Sequence, residues 1–313
     1  MEFTPAIAIV GAGIAGLTCA RSLSASGLDV RVFDKGRAPG GRVSTRRADG
    51  LQFDHGAPFF HVDDPGFAKA VADWQATGLV ADSAHGDGFT AVPAMTALAR
   101  HLAGDLNVQA GVEIVGITGE PAAWRLQGRH GEAFGPFIAV VVSAPAPQAA
   151  ALLAGKGDLS AQISRAAYVP RYVAMAALAE PLALDAPVLR FDDGPISKLI
   201  DDSAKPGRSQ PGCYVLHAGD AWSRDHLEVD KPQGARLLWE ALADSLRMPL
   251  PEPYYLEGHR WRYALAERVL GTPCLFKAEL RLGACGDWCL AHGVEGAWRS
   301  GRAMAHAITR MLG

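Results

Sequence analysis

Residues 6–42 read AIAIVGAGIAGLTCARSLSASGLDVRVFDKGRAPGGR. Ala6–Val10 is a short apolar run with β-branched residues, the pattern of a buried parallel strand. Gly11, Gly13 and Gly16 follow as G-x-G-x-x-G, and an Ala/Leu-rich helical stretch runs to about Ser26. A second strand, Asp29–Phe33, ends on Asp34. Gly11 allows a tight turn out of the strand. Gly13, with no Cβ, lets a pyrophosphate approach the backbone, and Gly16 lets helix and strand pack closely. The first helical residues, Ile14 and Ala15, offer free N–H groups and a positive dipole end to phosphates. Asp34 lies 18 residues beyond Gly16, where a carboxylate accepts hydrogen bonds from an adenosine ribose. The stretch predicts a dinucleotide site and leaves open which dinucleotide.

Two further segments bear on that question. After Asp34 comes Lys35, then Gly40-Gly41-Arg42. Paired glycines let the backbone pass close to a ligand, and arginine supplies a planar, charged donor fork for phosphate. Far downstream, residues 284–301 read ACGDWCLAHGVEGAWRSG. Asp287 follows an apolar strand end next to Gly286, where a carboxylate can take ribityl hydroxyls. A helix expected from Gly296 can stabilise negative charge with its N-terminus. No second strand–G-x-G-x-x-G–helix unit occurs, so the chain is not built to hold two dinucleotides in two dedicated domains.

Bulk properties narrow the class. The chain has 313 residues, a formal net charge of −3 and five cysteines. That length suits two domains, or one with an insertion. Nothing in the charge points to nucleic acid. The cysteines lack metal-ligand spacing, so no metal site is expected and the thiols read as reduced and structural. The longest apolar run, Phe137–Ala144, is strand-length, so no transmembrane helix is expected. With no leader pattern at the start, the expected location is cytoplasmic. Oligomeric state is left open.

Coarse patterning gives an α/β part and a strand-rich part. Helices are expected at Pro65–Thr77, Pro93–Leu102, Pro147–Leu153, Gln233–Ser245 and Gly296–Met311. A tight loop is expected at Gly86–Gly88, a hairpin over Val112–Thr118 and Ala123–Gln127, and a strand at Phe137–Ala144. Arg171–Glu180, Ser197–Asp201, Cys213–Ala218 and Tyr254–Trp261 read as strands of a largely antiparallel sheet. The fold expectation is therefore a Rossmann-type domain from residues 1–62, 92–150 and 262–313, and a discontinuous substrate domain from 63–91 and 151–261.

Together, G-x-G-x-x-G at 11–16, Asp34, GGR at 40–42 and CGDW…VEGAWRSG at 285–301 resemble the flavin-containing amine oxidase superfamily. FDKGRAPGGRVST (33–45), FDHGAPFF (53–60), RYVAMAALAE (171–180), YVLHA (214–218) and HRWRYA (259–264) are most similar to its renalase family, in particular to bacterial members. The resemblance spans essentially the whole chain. It implies non-covalent FAD in a p-hydroxybenzoate-hydroxylase-like fold. The cofactor contacts it implies are Gly11, Gly13, Ile14, Ala15, Gly16, Asp34, Lys35, Gly40, Gly41, Arg42, Ala57, Val112, Gly286, Asp287, Val294, Glu295 and Ala297. It further implies oxidation of misreduced 2- and 6-dihydronicotinamide dinucleotides to NAD(P)⁺, with hydride passing to flavin N5 and O₂ becoming H₂O₂. Such chemistry needs placement more than acid–base help.

Pocket residues are less certain from the chain alone. Phe59, Phe60, Arg171, Tyr172, His217, Trp261, Trp288 and His292 are candidates. Each aromatic side chain could equally be core, His217 a hydrogen-bonded core histidine, and Arg171 half of a structural ion pair. Three other activities share the flavin motifs. An amine oxidase could use Lys198 near the flavin, an aromatic hydroxylase would borrow a reductant, and a flavin-bearing sensor would not turn over.

Overall fold

The structure is a computed structural model and describes residues 6–83 and 88–313. The loop expected at 86–88 falls mostly on residues outside that set. Strand β1 (Ala6–Val10) is wholly buried, helix α1 (Ile14–Ala25) follows, and strand β2 (Asp29–Asp34) returns beside β1. They belong to a six-stranded sheet ordered Leu275–Lys277, Leu282–Ala284, Ala139–Val142, β1, β2, Asn107–Ala110. Every pairing is parallel except that of the first two strands. Alternation along β1 splits its side chains between two cores. Ile7 and Ile9 pack with α1 and the last helix, Gly293–Leu312, while Ala6, Ala8 and Val10 face Phe33, Phe137 and Trp288.

Close helix packing depends on missing side chains. A Cβ on Gly16 would lie 2.0 Å from the Gly11 carbonyl oxygen, and one on Gly301 would lie 2.2 Å from that of Ala15. The last helix therefore lies directly on α1, bringing residues 293–297 to the glycine-rich turn's side of the molecule.

The second unit is a five-stranded antiparallel sheet: Val188–Arg190, Ile196–Asp201, Cys213–Ala218, Ala167–Ala177, Tyr255–Arg268. One face is covered by helix Lys231–Leu246, which buries Leu238, Trp239 and Leu242 against Tyr172, Ala174 and Leu216. The other face, with Val173, Met175 and Val215, meets Leu51 and Phe53 of the nucleotide-binding half. The mixed architecture thus agrees with the sequence expectation.

Several boundaries differ. The apolar run Phe137–Ala144 is not one strand. Phe137 ends a strand (Ala133–Phe137) of a separate three-stranded sheet, and Ala139–Val142 enters the large sheet. The changeover falls at Ile138, whose N–H donates to the Ala6 carbonyl. Segment 63–91, expected in the substrate domain, contributes Phe67, Val71, Trp74, Val80 and Ala91 to the same core as Ile9 and Trp298. Apolar periodicity shows that a helix has a buried face but not which domain buries it. The strand expected to end at Trp261 runs on to Arg268, and the last helix begins at Gly293 rather than Gly296. Among the described residues, no helix is long and apolar enough to cross a membrane.

Candidate active site

The candidate phosphate cradle is built from two glycine turns facing each other. Gly11 has φ +115°, and a Cβ there would lie 2.5 Å from the Ser143 carbonyl oxygen, so only glycine makes this exit from β1. Gly13 caps α1 without any side-chain bond, and a Cβ on it would meet nothing within 4 Å. The first-turn N–H groups of a helix have no intrahelical acceptor, so those of Ile14, Ala15 and Gly16 suit an anion. Gly40 donates to the Ala12 carbonyl at 3.0 Å, and a Cβ on Gly41, which has φ +55°, would lie 3.5 Å from Gly13 Cα.

Asp34 stands at the cradle's edge. Its carboxylate accepts from Ala12 N and Gly36 N, both at 2.6 Å, with Lys35 exposed alongside. Carboxylate oxygens keep further lone pairs for ribose hydroxyls. Val112 lies in the link before strand Ile114–Thr118, not in the strand as expected, and its N–H donates to the Asp34 carbonyl at 2.9 Å. It sits at the right corner, but its amide proton is already used.

Arg42 and Asp287, read from sequence as ligands for separate parts of a cofactor, bind each other. Two hydrogen bonds of 2.8 and 2.7 Å join the guanidinium to a carboxylate that is only 4% exposed. Arg42 also donates to the Ala264 carbonyl at 3.2 Å and lies 5.7 Å from the Tyr168 ring centre. The Tyr168 hydroxyl is buried, close to the Arg42 guanidinium and the Ala146 backbone. Burial, then the Asp287 charge, pushes this phenol well above its usual range, so it stays a donor. Gly286 is held by the Ser300 hydroxyl at 3.0 Å. Ala57 N donates to the Arg42 carbonyl at 2.8 Å, which clamps residues 55–57 onto this corner. An open glycine cradle and a tethered carboxylate at one end, and the Arg42–Asp287 pair at the other, fit a dinucleotide laid from Asp34 to Asp287.

The last helix contributes less than expected. The Glu295 carboxylate accepts from Asp63 N and Asp64 N at 2.6 and 2.9 Å, so it anchors the loop before helix Pro65–Ala76. Val294 packs into the core and Ala297 is half-buried. In the first turn the backbone N–H groups of Val294 and Glu295 have no intrahelical acceptor, whereas that of Ala297 lies inside the helix. His292 caps that helix with no side-chain bond and is exposed.

A second surface adjoins this corner. Strand Tyr255–Arg268 carries Ala264, which meets Arg42, and also Trp261 and His259 toward the antiparallel sheet. Trp261 Nε1 donates to the His55 carbonyl at 2.8 Å, and its ring stacks on His55 at 5.2 Å. His259 meets His55 at 4.7 Å and Trp261 at 4.3 Å. Pairing then sets a row across the sheet: Arg190, Lys198, His217, Val173, His259. Phe59 lies under Arg190 and Lys198, 6.0 and 5.6 Å from their charged groups. Arg171 pairs with Asp220 at 2.7 Å and also donates to the Ala218 carbonyl.

Three pocket candidates belong elsewhere. Tyr172 is fully buried on the opposite sheet face, its hydroxyl donating to the Asp230 carbonyl at 2.8 Å. Trp288 is fully buried, its Nε1 donating to the Ala144 carbonyl at 3.1 Å. Phe60 is core: its backbone bridges Phe89 and its ring packs on Phe67. His217, Trp261 and Arg171 do share the site face. His55, His259 and Tyr168 were not singled out from sequence, although strand alternation puts His259 on the Trp261 side.

The buried imidazoles are held neutral. Burial foremost, then Arg46, pulls the His55 pKa down to about 4. Burial, then His55, Lys231 and the arginines Arg46 and Arg260, pulls His259 down to about 3. His217 is also lowered, by burial first and then by Arg171 and Lys198. An unfolded imidazole takes a proton near pH 6.5. Between that pH and about 4 the unfolded chain binds more protons, so stability is full above about pH 6.5 and falls as pH drops through this window. Thermal melts from pH 8 to 4.5 should show this loss, and His259→Gln should flatten the slope.

Residues 9–74 match the family model described as "NAD(P)-binding Rossmann-like domain". A hydroxyneurosporene desaturase of Rubrivivax gelatinosus is 47% identical over 72 residues, 22% of this chain and 14% of that protein. A zeta-carotene-forming phytoene desaturase of Myxococcus xanthus is 46% identical over 50 residues, 16% of this chain and 10% of that protein. The chain thus matches only a small part of the curated relatives' length. In fold, the likeness covers 98% of the chain. A protein assigned as a protoporphyrinogen oxidase from Exiguobacterium sp. 255-15 superposes with a TM-score of 0.76 at 14% identity, over 99% of its own chain. A putrescine oxidase bound to putrescine superposes with a TM-score of 0.67 at 14% identity, over 99% of its chain. The desaturases share only the N-terminal stretch, whereas the two oxidase structures share the architecture over nearly the whole chain.

Proposed function

We propose that the chain is an FAD-dependent oxidoreductase of renalase type, oxidising 2- and 6-dihydronicotinamide dinucleotides to NAD(P)⁺ with O₂ as acceptor. Bound FAD would supply the electron sink, taking a hydride from the substrate and returning two electrons and protons to O₂ as H₂O₂. On this reading the glycine cradle and Asp34 hold the ADP part, and Arg42, Asp287 and Tyr168 hold the part toward the flavin. The observation that carries the substrate reading is the sheet row Arg190–Lys198–His217–Val173–His259 with Phe59 and Trp261. Aromatic and imidazole rings beside lysine and arginine suit a flat ring attached to phosphates.

The chain's own task is then to place a substrate ring and exclude water. The test is anaerobic mixing of the yellow holoprotein with borohydride-generated NADH isomers, β-NADH and a panel of amines. Flavin bleaching within seconds only by the isomers is the expected result. Bleaching by amines alone would overturn the substrate reading and leave an amine oxidase.

A further inference from the structure

The edge of the large sheet brings two free thiols together. Strands Leu275–Lys277 and Leu282–Ala284 run antiparallel, with Leu275 opposite Ala284, Phe276 opposite Gly283 and Lys277 opposite Leu282. One step further along this register sets Cys274 opposite Cys285. Side-chain alternation holds over that step. Cys274 and Phe276 pack on the core that contains Cys285, whereas Leu275, Leu282 and Ala284 belong to the core on the other face. Both thiols therefore face the same side. The backbone says how close they come. Cys285 N donates to the Val142 carbonyl at 3.2 Å, and the Arg281 carbonyl accepts from Val140 N at 3.0 Å. These positions turn their polar groups toward strand Ala139–Val142 and away from the strand of Cys274. Cys274 and Cys285 thus form a non-hydrogen-bonded pair, the kind with Cα atoms about 4.5 Å apart and side chains closer. A disulfide asks for a Cα separation of about 4.4–6.8 Å. Both are free thiols in this structure.

We propose that Cys274 and Cys285 are a reversible oxidation site, closing into a cross-strand disulfide under sustained exposure to a hydroperoxide. Cys274 is half-buried and meets the oxidant, and the fully buried Cys285 resolves. The Cys274 sulfur takes one peroxide oxygen as the O–O bond breaks and water leaves. The Cys285 sulfur then displaces that oxygen as a second water. Two thiols lose two electrons and two protons, and one H₂O₂ becomes two H₂O. Hydrogen peroxide is the product of the reaction proposed above, but the pair does not depend on that reading, because any hydroperoxide serves. Burial pushes the Cys274 thiol up to about 11, and Cys285 is raised as well, by burial first and then by Cys19. Thiolate is the reacting form, so closure near neutral pH is slow, and the pair is a latch rather than a fast sensor. Its place gives it a consequence. Cys285 leads directly into Gly286 and into Asp287, which grips Arg42, and its sulfur is hydrogen-bonded to the Ser143 side chain. Closure would fasten the outermost strand to the root of that corner.

The test treats the full chain, as purified, with hydrogen peroxide or with diamide, which takes the same two electrons. After an acid quench, remaining thiols are alkylated in denaturant and the protein is digested without reduction. Trypsin cuts at Lys277 and Arg281, between the two cysteines, so only a disulfide keeps their peptides joined. Fragmentation then tells Cys285 from Cys289 in the second peptide. The expected result is a Cys274–Cys285 link, five free thiols falling to three, and full reversal by dithiothreitol. With peroxide the rate should climb about tenfold per pH unit from pH 7 to 9.5, as a thiol with a raised pKa requires. The oxidised protein should melt about 5 °C or more higher, and Cys274→Ser should show neither link nor shift. A link from Cys285 to Cys19, a link from Cys274 to Cys289, or no link with diamide at pH 9.5 would overturn the pair. A rate that levels near pH 8.5, the value of an ordinary thiol, would place the reaction in an opened chain and overturn closure within the sheet. The peptide map is read on wild type, so the result stands even where a variant folds poorly.

Discussion

An Asp287→Ala protein should purify with most of its flavin missing. The wild-type carboxylate is buried, receives both ends of the Arg42 fork and stands within the electrostatic reach of Tyr168. Removing it leaves a guanidinium without its counter-charge, at the corner proposed above to take a neutral ribityl chain. Breaking one half of a buried pair costs about 3–5 kcal/mol, and partial exposure of Arg42 brings the figure toward the low end. A loss of even 1.4 kcal/mol in cofactor binding is a tenfold weaker complex. The absorbance ratio of flavin to protein after desalting reports this directly. Asp287→Asn, which keeps the shape and one acceptor oxygen, should retain more flavin than alanine. A fully yellow, active Asp287→Ala protein would show that the cofactor does not depend on this corner.

The cradle was legible because its chemistry is local. Gly11, Gly13, Gly16 and Asp34 act through backbone geometry set within one strand–turn–helix unit, and the structure places each as the spacing implies. Gly40 and Gly41 also follow from a short-range argument. The pairing of Arg42 with Asp287 does not, since 245 residues separate them and neither position alone reveals a bidentate partner. Glu295 shows the opposite limit. Its place beside a motif suggested a ligand role, but a loop 231 residues away takes its carboxylate.

Pocket residues were harder for a physical reason. Tyr172 and Val173 are neighbours on one strand, yet alternation sends them to opposite faces, one under helix Lys231–Leu246 and one toward the nucleotide-binding half. Choosing the right face requires knowing what covers each, and this is a tertiary fact. Once His217 is taken as facing the site, strand register assigns Lys198 and His259 to the same row. The interior ion network beside His55 was not visible at all, because Asp54, Asp202, Lys205 and Arg208 look like ordinary loop charges in sequence.

That network carries the largest expected stability effect. Asp54 and Asp202 are fully buried, and the side chains of Lys205 and Arg208 are 2% and 3% exposed. Lys205 reaches Asp54 at 3.0 Å and Asp202 at 2.5 Å, and Arg208 contacts both carboxylates. Asp54 also accepts from the Thr45 hydroxyl at 2.6 Å and from Met95 N at 3.1 Å. Burial opposes its charge, but Lys205 and Arg208 outweigh it and hold Asp54 ionised. Burial, helped by Asp54 and opposed by Lys205 and Arg208, pushes the Asp202 carboxyl up, and the two carboxyl groups and two cationic side chains together tie the strand before His55 to the loop after Ile196–Asp201. Asp54→Ala leaves two cations against one carboxylate, so urea unfolding should show a loss of about 3–5 kcal/mol. A charge-balanced partner decides whether charge or packing is responsible. Adding Arg208→Met to Asp54→Ala should recover part of that loss, giving a favourable coupling of at least about 1 kcal/mol in the cycle. Additive effects of the two substitutions would mean that the network holds the halves together by shape alone. Recovery would identify it as an electrostatic tie between the strand before His55 and the loop after Ile196–Asp201.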